Sequence, residues 1–156
     1  MAEATRVFLV VVDESPEMRT ALRYACRRAK RTGGRVALLY VMDPPETQQW
    51  GGVADLMRQE ARQQAEEVVG IHAETAATLT GQPPAIHIRE GNSREELLKL
   101  IAEDRSISVL VLGSSSTSEG PGPLVTAFVG KGGNLLRIPL TIVPGGLTEA
   151  EVDAIA

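Results

Sequence analysis

Asp13 closes the run Arg6-Val7-Phe8-Leu9-Val10-Val11-Val12, apolar after its first residue, and Ser15-Pro16-Glu17 follows almost at once. A carboxylate at a strand end just before a helix is placed to touch a ligand, although aspartate also suits a turn there. A second polar cluster, Gly113-Ser114-Ser115-Ser116-Thr117-Ser118, follows another apolar run. Its hydroxyls can donate hydrogen bonds to an anion, and glycine in such a loop lets backbone N–H groups approach phosphate oxygens. Gly130-Lys131-Gly132-Gly133 resembles a Walker loop only superficially. Val125 stands where the earlier glycine belongs, and Gly132 replaces the required Ser or Thr. His72 and His87 fall on different elements with no ligand-spaced partner, so no metal site is expected. Without a Ser-His-Asp or Cys-His constellation, no enzyme is expected either. Cys26 is the single cysteine, which excludes an intramolecular disulfide, and it reads as a small buried thiol.

These residues must be positioned by alternating strands and helices. Five short apolar runs read as strands: Arg6 to Val12, Arg35 to Val41, Ala85 to Arg89, Ile107 to Leu112 and Leu140 to Val143. The first two are continuously apolar, as in parallel strands covered on both faces. The third, AIHIR, alternates and reads as half exposed. The first helix starts at Ser15, a good N-cap, with Pro16 at the first helical position, and ends at Gly33-Gly34. Its apolar stripe is Met18, Leu22, Ala25 and Ala29. The second, roughly Val53 to Thr80, carries Met57, Ala61, Ala65, Val68, His72, Ala76 and Leu79 on one face. Trp50, just before it, reads as a cover for the helix start or, more sharply, as a lid over the ligand cleft. The third opens with a capping box at Ser93-Arg94-Glu95-Glu96. A fourth, within Val125 to Leu136, is weakened by Gly130, Gly132 and Gly133 at about 1 kcal/mol each. Thr148 to Glu151 forms another capping box, predicting a short acidic C-terminal helix. Such βαβ units imply a parallel sheet with right-handed crossovers.

Composition agrees with one globular domain. The 156 residues are 43% hydrophobic and 23% charged, with aromatics at only 3%, so aliphatic side chains must build the core. A net charge of −4 argues against nucleic-acid binding. The cluster Arg27-Arg28-Ala29-Lys30-Arg31 reads as the solvated end of the first helix, where cations complement the dipole. No charged-then-apolar leader opens the sequence, and no apolar run nears the ~20 residues of a membrane span. A soluble, cytoplasmic protein without membrane contact is expected.

The order of these pieces resembles the universal stress protein family. The resemblance covers about residues 5 to 144 and rests on VVVDESPEMRTALRYACRRA, LLYVMDPP and EGNSREELLKLIAED followed by SVLVLGSS. It implies an α/β fold of the adenine-nucleotide alpha-hydrolase type. That fold is a single five-stranded parallel sheet, order 3-2-1-4-5, with two helices on each face. Residues 145–156 then form a short acidic helical tail. In that order Asp13 and Gly113 would face each other at the switch point where open α/β sheets bind ligands. The implied nucleotide contacts are Val12, Asp13, Val41, Gly113, Ser114, Ser116, Thr126 and Ala127. Of these, Asp13 is on the ribose and metal side and Val41 meets the adenine.

ATP-binding members carry Gly-x-x-Gly, nine residues, then Gly and Ser or Thr. Counted from Gly113, those places hold Ser116, Thr126 and Ala127, so three of the four residues differ. No Lys or Arg lies between Gly113 and Gly130, and Pro121 and Pro123 remove two amide donors. The expectation is a universal stress protein-like, non-enzymatic regulatory module of the stress response, with a degenerate nucleotide loop and no required cofactor. The alternative is a sensor binding ATP, ADP or AMP. The resemblance also implies a homodimer paired antiparallel through Leu140 to Val143. The acidic tail from Thr148 is expected either to extend that interface or to recruit another protein partner.

Overall fold

How completely each strand is covered follows its place in the sheet. The computed structural model describes residues 5–44 and 52–156, so Trp50 lies outside the described residues. The strands are β1 (Val7–Val11), β2 (Arg35–Met42), β3 (Ala85–Glu90), β4 (Ile107–Ser114) and β5 (Leu140–Pro144). They pair in parallel in the order β3-β2-β1-β4-β5. β1 is central, and Phe8, Leu9 and Val10 are buried on both faces. β3, whose sequence alternates, is an edge strand and stays largely exposed. The one irregularity near β1 is Ser108, passed over in the pairing with β4, whose hydroxyl accepts a hydrogen bond from Val7 N at 3.1 Å.

The alternation of side chains splits the core into two layers. Phe8, Val10, Leu38 and Val111 pack under α1 (Pro16–Thr32) and α2 (Gly52–Thr80). Leu9, Leu39, Leu110 and Leu112 pack on the other face, under α3 (Ser93–Glu103) and α4 (Pro123–Val129). Helices on both faces are the right-handed crossover solution expected for parallel strands. Cys26 is fully buried in the first layer, and burial pushes its thiol up to about 12.

Three element boundaries differ from the sequence reading. The α2 stripe becomes buried only from Ala65 onward, and Met57 is exposed. The cause is length: 29 residues span about 43 Å, well beyond the strands they cover. The cap of α3 is Asn92 rather than Ser93. Asn92 still has extended backbone, and its Oδ1 accepts from Glu95 N at 3.1 Å. The fourth helix begins at Pro123 rather than Val125, because a proline at the first helical position leaves no extra amide unpaired. It ends at Val129, where the glycines give way to a 3₁₀ turn over Lys131–Leu135.

Two arginines reach across the fold to helix ends. Arg137, ahead of β5, donates to the carbonyls of Ile101 (3.1 and 2.5 Å) and Asp104 (2.9 Å), satisfying the end of α3. The basic end of α1 is not merely solvated. It holds α5 (Glu149–Ile155), which opens with a reciprocal capping box between Thr148 and Glu151. Arg23, Arg27 and Arg31 recur every four residues, so they form one row along α1. Arg23 grips both Asp153 oxygens at 2.8 Å, Arg27 donates to Asp153 Oδ1 at 3.0 Å, and Arg31 donates to the carbonyls of Asp153 and Ala156. Val152 and Ala156 are buried beneath this row.

The Arg23 and Arg27 hydrogen bonds hold the Asp153 carboxyl below its ordinary range. A carboxylate of this kind stabilises the docked helix above its unfolded pKa of about 3.9, and the contribution disappears as pH falls through the lower folded value. Amide hydrogen exchange should therefore show α5 protected at neutral pH and losing protection selectively in acid. Asp153→Asn should remove that protection at neutral pH while the β1 amides stay protected.

Candidate functional site

The chain leaves β1 for α1 on one face and leaves β4 for α4 on the other, so the carboxyl ends of these neighbouring strands diverge. This is the switch point at which an open α/β sheet forms a ligand crevice. A cavity of about 770 Å³ lies there, lined from the ends of β1, β2 and β4 and from the starts of α1, α3 and α4. Asp13 and Gly113 both line it.

Asp13 builds the turn that its type suggests and also lines the cavity. Its Oδ1 accepts from Ser15 N at 2.8 Å and Ser15 Oγ at 2.5 Å, building the turn into α1. Its second oxygen makes no hydrogen bond among the described residues, and the side chain is exposed toward the cavity. Gly113 is required by packing rather than by a ligand. A Cβ there would stand 2.2 Å from the Glu17 carbonyl oxygen in the first turn of α1. Gly145 repeats the constraint after β5, where a Cβ would lie 2.6 Å from Glu17 Cβ. α1 thus rests directly on the ends of two strands.

Of the other residues expected at a nucleotide site, Val12, Val41 and Ala127 line the cavity, whereas Ser114, Ser116 and Thr126 do not. The carbonyl of Ser114 accepts from Gly145 N at 2.8 Å, and Ser116 lies beside Gly146. The serine loop closes on itself: Ser115 Oγ meets Thr117 Oγ1 at 2.9 Å, and Ser115 N donates to Pro121 O at 3.0 Å. Thr126 lies inside α4 and is exposed, with its amide donating to Gly122 O. The loop-to-helix junction is Gly122-Pro123, and Gly122 takes φ of 113°, a conformation open to glycine. The sequence reading began this helix at Val125, two residues too late. Prolines at 121 and 123 and the positive-φ glycine between them were the available signal.

The start of α3 was missed as part of the site. Asn92, Ser93, Arg94 and Glu95 line the cavity. Arg94 brings the guanidinium that the loop after β4 lacks, and among the described residues it makes no ion pair. Topology alone could have placed it, since every βα connection of a parallel sheet emerges at the same end. Against this cation stand the carboxylates of Asp13, Glu14, Glu17, Asp43 and Glu95. Their field is felt by Tyr40, whose hydroxyl is pushed up by burial and then by Glu14, Asp43 and Asp13. Among the described residues no cluster of three or more His, Cys, Asp or Glu could hold a metal ion.

The model of the universal stress protein family matches residues 5–143. Universal stress protein UspA from Lactobacillus plantarum superposes with a TM-score of 0.73 at 19% identity, over 92% of this chain and 99% of that one. The universal stress protein from Archaeoglobus fulgidus in complex with dAMP superposes with a TM-score of 0.60 at 14% identity, over 92% and 99% of the two chains. A universal stress protein in complex with cAMP gives 0.54 at 17% identity, over 90% and 98%. These similarities establish a common fold. No curated protein sequence matches the chain.

The contact between Gly113 and Glu17 generates a direct test. Gly113→Ala forces a methyl group against the Glu17 backbone and should cost about 1–3 kcal/mol or more, read from the urea midpoint. Ser116→Gly, away from the cavity wall, should change stability by less than about 1 kcal/mol.

Proposed function

The chain belongs to the universal stress protein family, and we propose that it works as a non-enzymatic regulatory module of the stress response whose cleft grips ATP poorly. One observation carries this reading: five carboxylates and one guanidinium face the switch-point cavity. A triphosphate brings several negative charges into that field, and each like-charge contact at about 8 Å costs roughly 0.5 kcal/mol even in water. Pro121 and Pro123 supply no amide donors at the loop beside it. Among the described lining residues there is no histidine, cysteine or lysine to act as base or nucleophile near pH 7.

The reading also takes the protein to be a cytoplasmic homodimer that acts through protein contacts. β5 is an edge strand with one side unpaired within the sheet, and Ile142, Val129 and Leu135 are exposed at this end of the chain. Such an edge invites antiparallel pairing with a second copy. No helix among the described residues is long and apolar enough to cross a membrane. Sedimentation at micromolar concentration should give twice the chain mass of 16.7 kDa. Ile142→Lys should shift the species to the monomer, and a monomeric parent protein would contradict the dimer.

A second reading is favoured by Arg94 at the start of α3, an 11-residue helix whose N-terminus opens on the cavity. One cation beside one helix N-terminus suits a single phosphate rather than three. The solved relatives holding dAMP and cAMP carry ligands of that kind. In this reading the protein is an adenine-nucleotide sensor tuned to a monophosphate. Isothermal titration with ATP, ADP and AMP, with and without magnesium, separates the readings. Both expect ATP binding no tighter than about millimolar, whereas micromolar binding of AMP that is lost in Arg94→Gln and Asp13→Ala selects the sensor. Micromolar binding of ATP would overturn both.

A further inference from the structure

A second groove, of about 480 Å³, runs between α1, the C-terminal half of α2 and the start of α5, and shares no lining residue with the switch-point cavity. Its floor is apolar, formed by Leu22 and Val152, both buried, with Leu79 and Leu147 half-buried beside them. At its rim Ile71 is 64% exposed. Thr75 and Thr20 add hydroxyls to the walls.

The charge around the groove is uneven. Arg23 is neutralised by Asp153 at 2.8 Å and Glu149 at 3.6 Å. Arg19, one turn earlier on the same row of α1, makes no ion pair among the described residues. His72, facing it from α2, is half-buried, and burial and the Arg19 charge lower its pKa against a weaker opposite pull from Asp13. Near neutral pH its imidazole is therefore uncharged, leaving Arg19 as the one uncompensated charge of the lining. Glu149 on the opposite rim disfavours a second negative group.

We propose that this groove binds a small aliphatic monocarboxylate, its chain lying on Leu22, Leu79 and Leu147 under Ile71 and its carboxylate paired with Arg19. An apolar body with one anionic end is the chemistry that both the floor and the rim select: a neutral chain forgoes Arg19, and a cationic one meets it head-on. Burying the chain removes Ile71 from water, and the carboxylate gains a charge-assisted hydrogen bond.

Decanoate is the probe. Titrated into the full-length ¹⁵N-labelled protein, it should give saturable chemical-shift changes on the amides of Arg19, Thr75 and Leu147. Those of Asp13 and Gly113 should stay in place. Decanol, with the same chain and no charge, and the Arg19→Gln variant with decanoate should each bind about fivefold more weakly or worse. Asp13→Asn should bind decanoate as the parent does. Arg19 is exposed, so its substitution leaves the core intact, and an unchanged spectrum of the free variant checks this. The proposal is overturned by an absence of saturable shifts at these amides, by equal affinity for decanol, or by shifts confined to the switch-point cavity.

Discussion

The first turn of α1 lies against the ends of β4 and β5 with no room for a side chain between them. A Cβ at Gly113 would meet the Glu17 carbonyl oxygen at 2.2 Å, and one at Gly145 would meet Glu17 Cβ at 2.6 Å. Cores at crystal-like density do not absorb such overlaps by local adjustment. Just before this turn Asp13 holds Ser15 through one oxygen and leaves the other without a hydrogen bond among the described residues, at the cavity it lines. The same seat fixes the direction of α1, and hence the row of arginines that holds α5 at the other end of the helix. Thr20, one turn beyond Glu17, donates its hydroxyl to the Gly145 carbonyl at 3.3 Å and ties the exit of β5 to the same helix.

The cavity formed by this seat is set apart by its charge. The glycine that leads the loop after β4 is explained by helix packing, and within that loop Ser115 hydrogen-bonds with Thr117 and donates its amide to the Pro121 carbonyl. Five acidic residues and one arginine, Arg94, line the space. The Tyr40 hydroxyl is pushed up first by burial and then by Glu14, Asp43 and Asp13. A site of this character discriminates ligands by how many negative charges they carry, a selection made by repulsion as much as by contact.

The sheet was legible in the sequence because two periodicities agreed: continuous apolar runs for buried parallel strands, and capped amphipathic stretches between them. Strand order came from the family resemblance, and with it the meeting of Asp13 and Gly113. Helix starts at loops were legible only where one residue type dominated. Ser15-Pro16 gave α1 correctly, whereas Asn92 and Ser93 are both good caps and backbone geometry alone decides between them. At α4 the sequence reading began at Val125, whereas Gly122 and Pro123 start the helix two residues sooner. Arg94 escaped notice because the reading of charge followed the chain and stopped at one loop, while the cavity gathers residues from four connections. The Arg27–Arg31 cluster escaped for the same reason: its partner, Asp153, is more than a hundred residues away.

Carboxylate repulsion is the reason proposed for a weak grip on ATP, and that repulsion can be removed without altering shape. Glu14 and Glu95 are exposed, and changing both to glutamine keeps their size while deleting two negative charges from the cavity wall. The decisive measurement is the dissociation constant of ATP for Glu14→Gln/Glu95→Gln against the parent protein at low ionic strength. Relief of two like-charge contacts should strengthen ATP binding by about fivefold, with AMP improved less. An unchanged ATP affinity in the folded double variant would contradict the account and place the obstacle in the shape of the cavity instead.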